Sequence, residues 1–143
     1  RLATAESCTG GWIAEAVTAI GGSSAWFDRG FVTYSNEAKM DMLGVCAQTL
    51  AEHGAVSEAT VCEMAEGALA RSLADVAVAV SGVAGPTEID GASVGTVWFA
   101  VVGPRVGVSA APQYTELKQF EGDRERIRAA AIEHAFEMLL RVL

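Results

Sequence analysis

Histidine and lysine are scarce in this chain. The histidines are His53 and His134 and the lysines Lys39 and Lys118, too few for a histidine-rich metal centre and only two positions for a histidine base. Positive charge is short overall: 10 Lys and Arg stand against 18 Asp and Glu, for a formal net charge of −8. A chain without a basic stripe does not hold phosphate backbones or anionic membranes by general attraction, so nucleic acid and membrane are excluded as partners. Long hydrophobic runs are missing too. Val76 to Val80 and Val94 to Val102 are broken by Gly, Ser or charge well before the roughly 18 residues a membrane span needs. Cys8, Cys46 and Cys62 form no CxxC pair and leave an odd one over, a pattern of reduced thiols that points to the cytoplasm.

What remains is apolar: 51% of the 143 residues are hydrophobic and 20% charged, enough for one well-filled core and no disorder. No linker, repeat or low-complexity tract divides residues 1–143, so a single domain is expected. The chain opens at Arg1, directly in a strand-like run, so an upstream piece is expected to be missing. Leu2 to Ala5 reads as a short strand, followed by a glycine loop and a helix with Ile13, Ala16, Val17 and Ile20 on one face, ending at Gly21-Gly22. Phe27 to Tyr34 is a second strand. Ser35 or Asn36 then caps a short helix that carries Lys39 and closes at Gly44. Ser57 opens a helix with Val61, Met64, Ala65, Ala68 and Leu69 on one face, and Val76 to Val80 is a strand buried on both sides. Gly95 to Val102 and Tyr114 to Phe120 complete the strands, and Asp123 caps a last helix. Interleaved helices and strands predict an α/β fold, a three-layer α/β/α sandwich. Its site belongs at the carboxyl ends of strands, where both glycine loops begin.

The first of these loops carries Ser7, with Thr9, Gly10 and Gly11 at the expected helix start. Unpaired N–H groups there could hold an oxyanion or a phosphate, and glycines would let a ligand approach. The plainer alternative makes Ser7 or Thr9 a helix cap. A serine nucleophile needs a base. His53 reads as a solvated turn residue and His134 as a satisfied residue on the apolar face of the last helix. Lysine is the other option, since a desolvated ammonium loses pKa. Lys39 is better placed than Lys118, which reads as solvent-facing, although an ordinary exposed lysine is the commoner case. Tyr34 at a strand end is either a core residue with a wet hydroxyl or part of the site. Cys8, beside Ser7, is either a small buried hydrophobe or a thiolate activated by a helix N-terminus.

Five blocks in order, 4–11 (Thr-Ala-Glu-Ser-Cys-Thr-Gly-Gly), 30–39 (Gly-Phe-Val-Thr-Tyr-Ser-Asn-Glu-Ala-Lys), 53–57, 81–86 (Ser-Gly-Val-Ala-Gly-Pro) and 94–97, resemble the signature blocks of the CinA C-terminal family. The resemblance spans essentially the whole chain and implies a mixed sheet with a helix ahead of the first strand, which this chain lacks. It also implies hydrolysis of the carboxamide of nicotinamide mononucleotide to nicotinic acid mononucleotide and ammonia, with no metal or cofactor. Ser7 matches the family's nucleophile, Lys39 its general base and Tyr34 a hydroxyl that assists proton transfer, with backbone N–H groups near Cys8 to Gly10 for the oxyanion. Expected substrate contacts are Thr9, Gly10, Gly11, Gly82, Ala84, Gly85 and Arg124. A non-catalytic nucleotide-binding or protein-interaction module is the alternative, and a homodimer is left open. The chain departs from the family pattern at Thr87 to Ser93, where a basic residue is replaced and two acids, Glu88 and Asp90, enter.

Overall fold

The computed structural model describes residues 1–104 and 111–143. Five strands, β1 (Leu2–Glu6), β2 (Phe27–Val32), β3 (Val76–Gly82), β4 (Thr96–Val102) and β5 (Gln113–Gln119), form one sheet in the order β2-β1-β3-β4-β5. β1 runs parallel to both neighbours, whereas β4 is antiparallel to β3 and to β5. The helices are α1 (Trp12–Thr18), α2 (Asn36–Leu43), α3 (Ala47–His53), α4 (Glu58–Ala70) and α5 (Arg124–Val142). The expected three layers are present, around a mixed sheet.

Side chains alternate across a strand, and here the alternation sorts them by size. Val76, Val78, Val80, Val97, Phe99 and Val101 share one core with Ile13 and Val17 of α1 and Ile127, Ala131 and Met138 of α5. Ala3, Ala5, Ala77, Ala79 and Ala100 share the other with Val61, Met64, Ala65 and Ala68 of α4 and Leu43 of α2. Small residues let α4 lie close to the sheet.

Three expected boundaries shift. α1 starts at Trp12 and not at Thr9, because Gly10 and Gly11 sit at φ +62° and +100°, outside helical geometry. It also ends at Thr18, so Ile20 is 56% exposed and not on the buried stripe. β2 stops at Val32, since the carbonyls of Thr33 and Tyr34 turn to Lys39. α3 is not among the expected helices. His53 is its last residue, exposed as expected of a solvated side chain.

Register places the strand ends. Glu6 pairs with both Val32 and Val80, so Ser7, Thr33 and Ser81 emerge side by side. β5 ends on the same edge, opposite the start of β4, so the first turn of α5 lands there as well.

Candidate active site

The β1 loop is held by Glu6, a carboxylate 1% exposed. It accepts from Thr9 Oγ1 at 2.7 Å, Ile13 N at 2.8 Å and Ala14 N at 3.1 Å. A strand residue therefore caps α1, whose own N-cap, Gly11, offers no side chain. Glutamine at position 6 would lose the charge and turn an amide N–H toward these donors. Glu6→Gln is expected to cost about 2 kcal/mol, read as a lower urea midpoint, and an unchanged midpoint would refute this role.

Ser7 is pinned through its backbone: its N–H donates to Val80 O at 3.0 Å and its carbonyl accepts from Gly10 N at 3.1 Å. Arg128 of α5 lies 5.4 Å from the Trp12 ring centroid and donates to the carbonyls of Cys8 and Thr9, both at 3.1 Å. Across a trans peptide the N–H opposes the C=O, so the Thr9 N–H points away from Arg128. Among the described residues neither Cys8 N–H nor Thr9 N–H has a backbone acceptor on another residue, whereas Gly10 N–H is occupied. Gly10 thus drops out of the expected oxyanion donors.

Lys39 is 1% exposed. Its Nζ donates to Thr33 O at 2.8 Å and Tyr34 O at 3.3 Å and stands 2.9 Å from Ser7 Oγ. No carboxylate is ion-paired with it among the described residues, and burial lowers its pKa from 10.5 to about 8. When the amine is neutral, two N–H bonds serve the two carbonyls and the lone pair faces Ser7 Oγ. Cys8, also buried, is driven the other way: burial pushes its thiol up to about 11, so it stays protonated at neutral pH.

Ser7, Tyr34, Lys39, Gly82, Ala84 and Arg124 line one cavity of about 270 Å³. Arg124 spans its mouth, donating to Tyr34 Oη at 3.1 Å and to the carbonyl of Gly85. Four expected contacts are not in the lining. Thr9 is fully buried with its hydroxyl spent on Glu6. Gly10 and Gly11 form a turn before α1, and a Cβ on Gly11 would meet Val32. Gly85 contributes its carbonyl to Arg124. Gly82 does line the cavity, yet its lack of a side chain has a packing cause: a Cβ would stand 2.8 Å from Thr96 O. His134 is remote from the cavity lining, 2.7 Å from Glu116 and against the Phe99 ring, the satisfied histidine expected.

Asn36, the Ala55-Val56 turn, Ser81 and the Ile89-Asp90 segment join Cys8 and Ser35 in the wall; none of these was an expected substrate contact, although Asp90 is one of the two acids by which the chain departs from the family pattern. Ser81 was within reach of inference, being the first residue after the apolar run of β3. Its Oγ donates to Ala55 O at 2.7 Å and ties the turn before α4 to the sheet.

The sequence profile of the CinA C-terminal domain matches residues 1–143. The chain is 54% identical over 142 residues to nicotinamide-nucleotide amidohydrolase PncC of Escherichia coli K12, covering 96% of this chain and 81% of that protein. It is 52% identical over 149 residues to a putative competence-damage inducible protein of Symbiobacterium thermophilum, covering 99% of this chain but 34% of that longer protein. Among solved structures it superposes with a TM-score of 0.91 on the competence damage-inducible protein A of Klebsiella pneumoniae, at 48% identity over 97% of this chain and 83% of that one. Profile, sequence and fold agree along this chain, with one conclusion: it belongs to the CinA C-terminal domain family.

Proposed function

We propose that this chain hydrolyses the carboxamide of nicotinamide mononucleotide to nicotinic acid mononucleotide and ammonia, through an acyl-enzyme on Ser7. The observation that carries the chemistry is the buried Lys39 amine 2.9 Å from Ser7 Oγ, with no carboxylate partner among the described residues. The substrate is supported by the relatives named nicotinamide-nucleotide amidohydrolase. The three free cysteines support a cytoplasmic setting, and no helix among the described residues is long and apolar enough to cross a membrane.

Ser7 Oγ attacks the amide carbon while its proton passes to Lys39 Nζ. The carbonyl oxygen, now an oxyanion, accepts from the N–H groups of Cys8 and Thr9. The C–N bond breaks as the leaving nitrogen takes a proton, and ammonia departs from the Ser7 ester. Tyr34 Oη accepts from Arg124, which leaves its own O–H free to donate that proton, with Lys39 as its source of return. Water then attacks the ester as Lys39 takes its proton, and Lys39 passes that proton to Ser7 Oγ as the C–O bond breaks, giving nicotinic acid mononucleotide and restoring the Ser7 hydroxyl and the neutral amine. Arg124, at the mouth, holds the phosphate.

The test is ammonia release from nicotinamide mononucleotide by purified wild type beside Ser7→Ala. Wild type turns over, and Ser7→Ala falls by at least about 10³-fold. The base must be unprotonated, so kcat/KM climbs about tenfold per pH unit below the Lys39 pKa and levels off above about 8. A folded wild type that releases no ammonia would leave the binding-module reading in its place. A flat profile between pH 6 and 8 would remove Lys39 as the base.

A further inference from the structure

One part of the cavity wall is a two-residue hairpin. Ile89 N donates to Ala92 O at 3.2 Å and Ala92 N to Ile89 O at 2.8 Å. Between them Asp90 and Gly91 sit at φ +49° and +78°, the backbone of a type I′ turn. Asp90 is the one non-glycine residue at positive φ among the described residues. The hairpin folds over the turn after α3: a Cβ on Gly54 would stand 3.6 Å from Asp90 Oδ2. Ile89 and Asp90 thereby enter the cavity lining, and Asp90 is its one carboxylate among the described residues.

Arg124 supplies a fixed positive charge on the same lining. The cavity is therefore polarised, with the Arg124 guanidinium and the Lys39 ammonium on the Tyr34 and Ser7 side and a carboxylate on the hairpin. A ligand complementary to it is itself zwitterionic. The substrate of the reading above has this property: its alkylated pyridine ring carries a permanent positive charge and its phosphate a negative one.

We propose that Asp90 is a specificity-determining residue that pairs with the cationic pyridinium ring while Arg124 takes the phosphate, so that the site selects nucleotides with a quaternised aromatic nitrogen over neutral-ring forms. The proposal rests on the amidohydrolase reading for its ligand. It also gives a role to the acidic departure at Thr87 to Ser93: an acid that a general anion site would exclude is placed where the cationic half of the ligand lies.

Asp90→Asn isolates the charge, because asparagine suits left-handed backbone and Asn-Gly favours the same turn. In the Ser7→Ala background, which stops turnover, the dissociation constants of nicotinamide mononucleotide and of its 1,4-dihydro form, whose ring is uncharged, are measured by calorimetry with and without Asp90→Asn. The constant for the cationic form is expected to rise about fivefold, the scale of one partly solvated charge pair, and that for the dihydro form to change less than twofold. Glu88→Gln, which removes a charge from the same segment outside the lining, leaves both constants within twofold. Equal changes for the two ligands, or no change for the cationic one, overturn the assignment of Asp90. Discrimination without ammonia release from wild type overturns the amidohydrolase reading alone, and failure of wild type to bind the nucleotide overturns both.

Discussion

Replacing Lys39 with methionine is expected to lower kcat for ammonia release by at least about 10³-fold and, in the same protein, to raise stability at pH 7 by about 1 kcal/mol. On the mechanism proposed above, the loss of rate follows from removing the base beside Ser7. The gain in stability follows from the same burial that lowers the Lys39 pKa. An ammonium 1% exposed, with carbonyls and a hydroxyl for neighbours and no carboxylate among the described residues, is held in the fold at a cost. Methionine fills a similar volume without a charge, at the expense of donors to Thr33 and Tyr34. Between about pH 8 and 10.5 the unfolded chain keeps a proton on Lys39 that the folded chain has released. Wild-type stability therefore rises with pH in that window relative to the variant, and the advantage of methionine shrinks. Urea unfolding at pH 7 and pH 10 measures both differences. A Lys39→Met protein clearly less stable than wild type at pH 7 would show that the amine is a structural anchor.

Gly67→Ala is expected to destabilise the fold by about 2–4 kcal/mol, although alanine is the better helix former by about 1 kcal/mol. Gly67 lies inside α4 near its C-terminal end, and a Cβ there would stand 2.0 Å from Leu43 O and 3.0 Å from Leu43 Cβ, at the end of α2. A backbone atom is the obstacle, so no rotamer change relieves it and the two helices must separate. Because α2 also carries Lys39, the separation should reduce turnover as well. The urea midpoint and kcat of the variant measure the two effects, and a midpoint at or above wild type would contradict the contact.

How much of this could be read beforehand differs with how local each feature is. Ser35, Ser57 and Asp123 mark helix starts legibly because each acts through its own side chain, accepting from the N–H three residues on, at Ala38, Thr60 and Arg126. α3 gives no such sign: its N-cap is Cys46 without a side-chain bond, and none of its residues is buried. It is held from α4, where Glu63 accepts from Cys46 N and Thr49 Oγ1, contacts 14 and 17 residues apart. Glu6 was hidden for a related reason. It caps a helix that begins six residues later, a spacing no local capping pattern contains.

In the site, Ser7, Tyr34 and Lys39 were legible as residue types and through the family resemblance. Their meeting depends on the pairing of Glu6 with Val32, which brings two strand ends level and lets α2 reach back. Glycine is a weak sign of a ligand contact because it answers to several causes at once: of Gly10, Gly11, Gly82 and Gly85 only Gly82 lines the cavity. Gly11 and Gly82 admit neighbouring side chains and backbone, so their presence is no measure of ligand approach.

The alanine face of the sheet has a consequence for how such a chain can evolve. On the α1 and α5 side, valine, isoleucine, phenylalanine and methionine fill the layer, and a gain at one position can be met by a loss at another. On the other side Ala3, Ala5, Ala77, Ala79 and Ala100 are already near the smallest size available. An added methyl group there drives α4 outward, and the turn leading into α4 carries Ala55 and Val56 of the cavity wall. Residues that never meet a ligand thus govern the shape offered to it, and mutational drift is tolerated on one side of the sheet and penalised through turnover on the other.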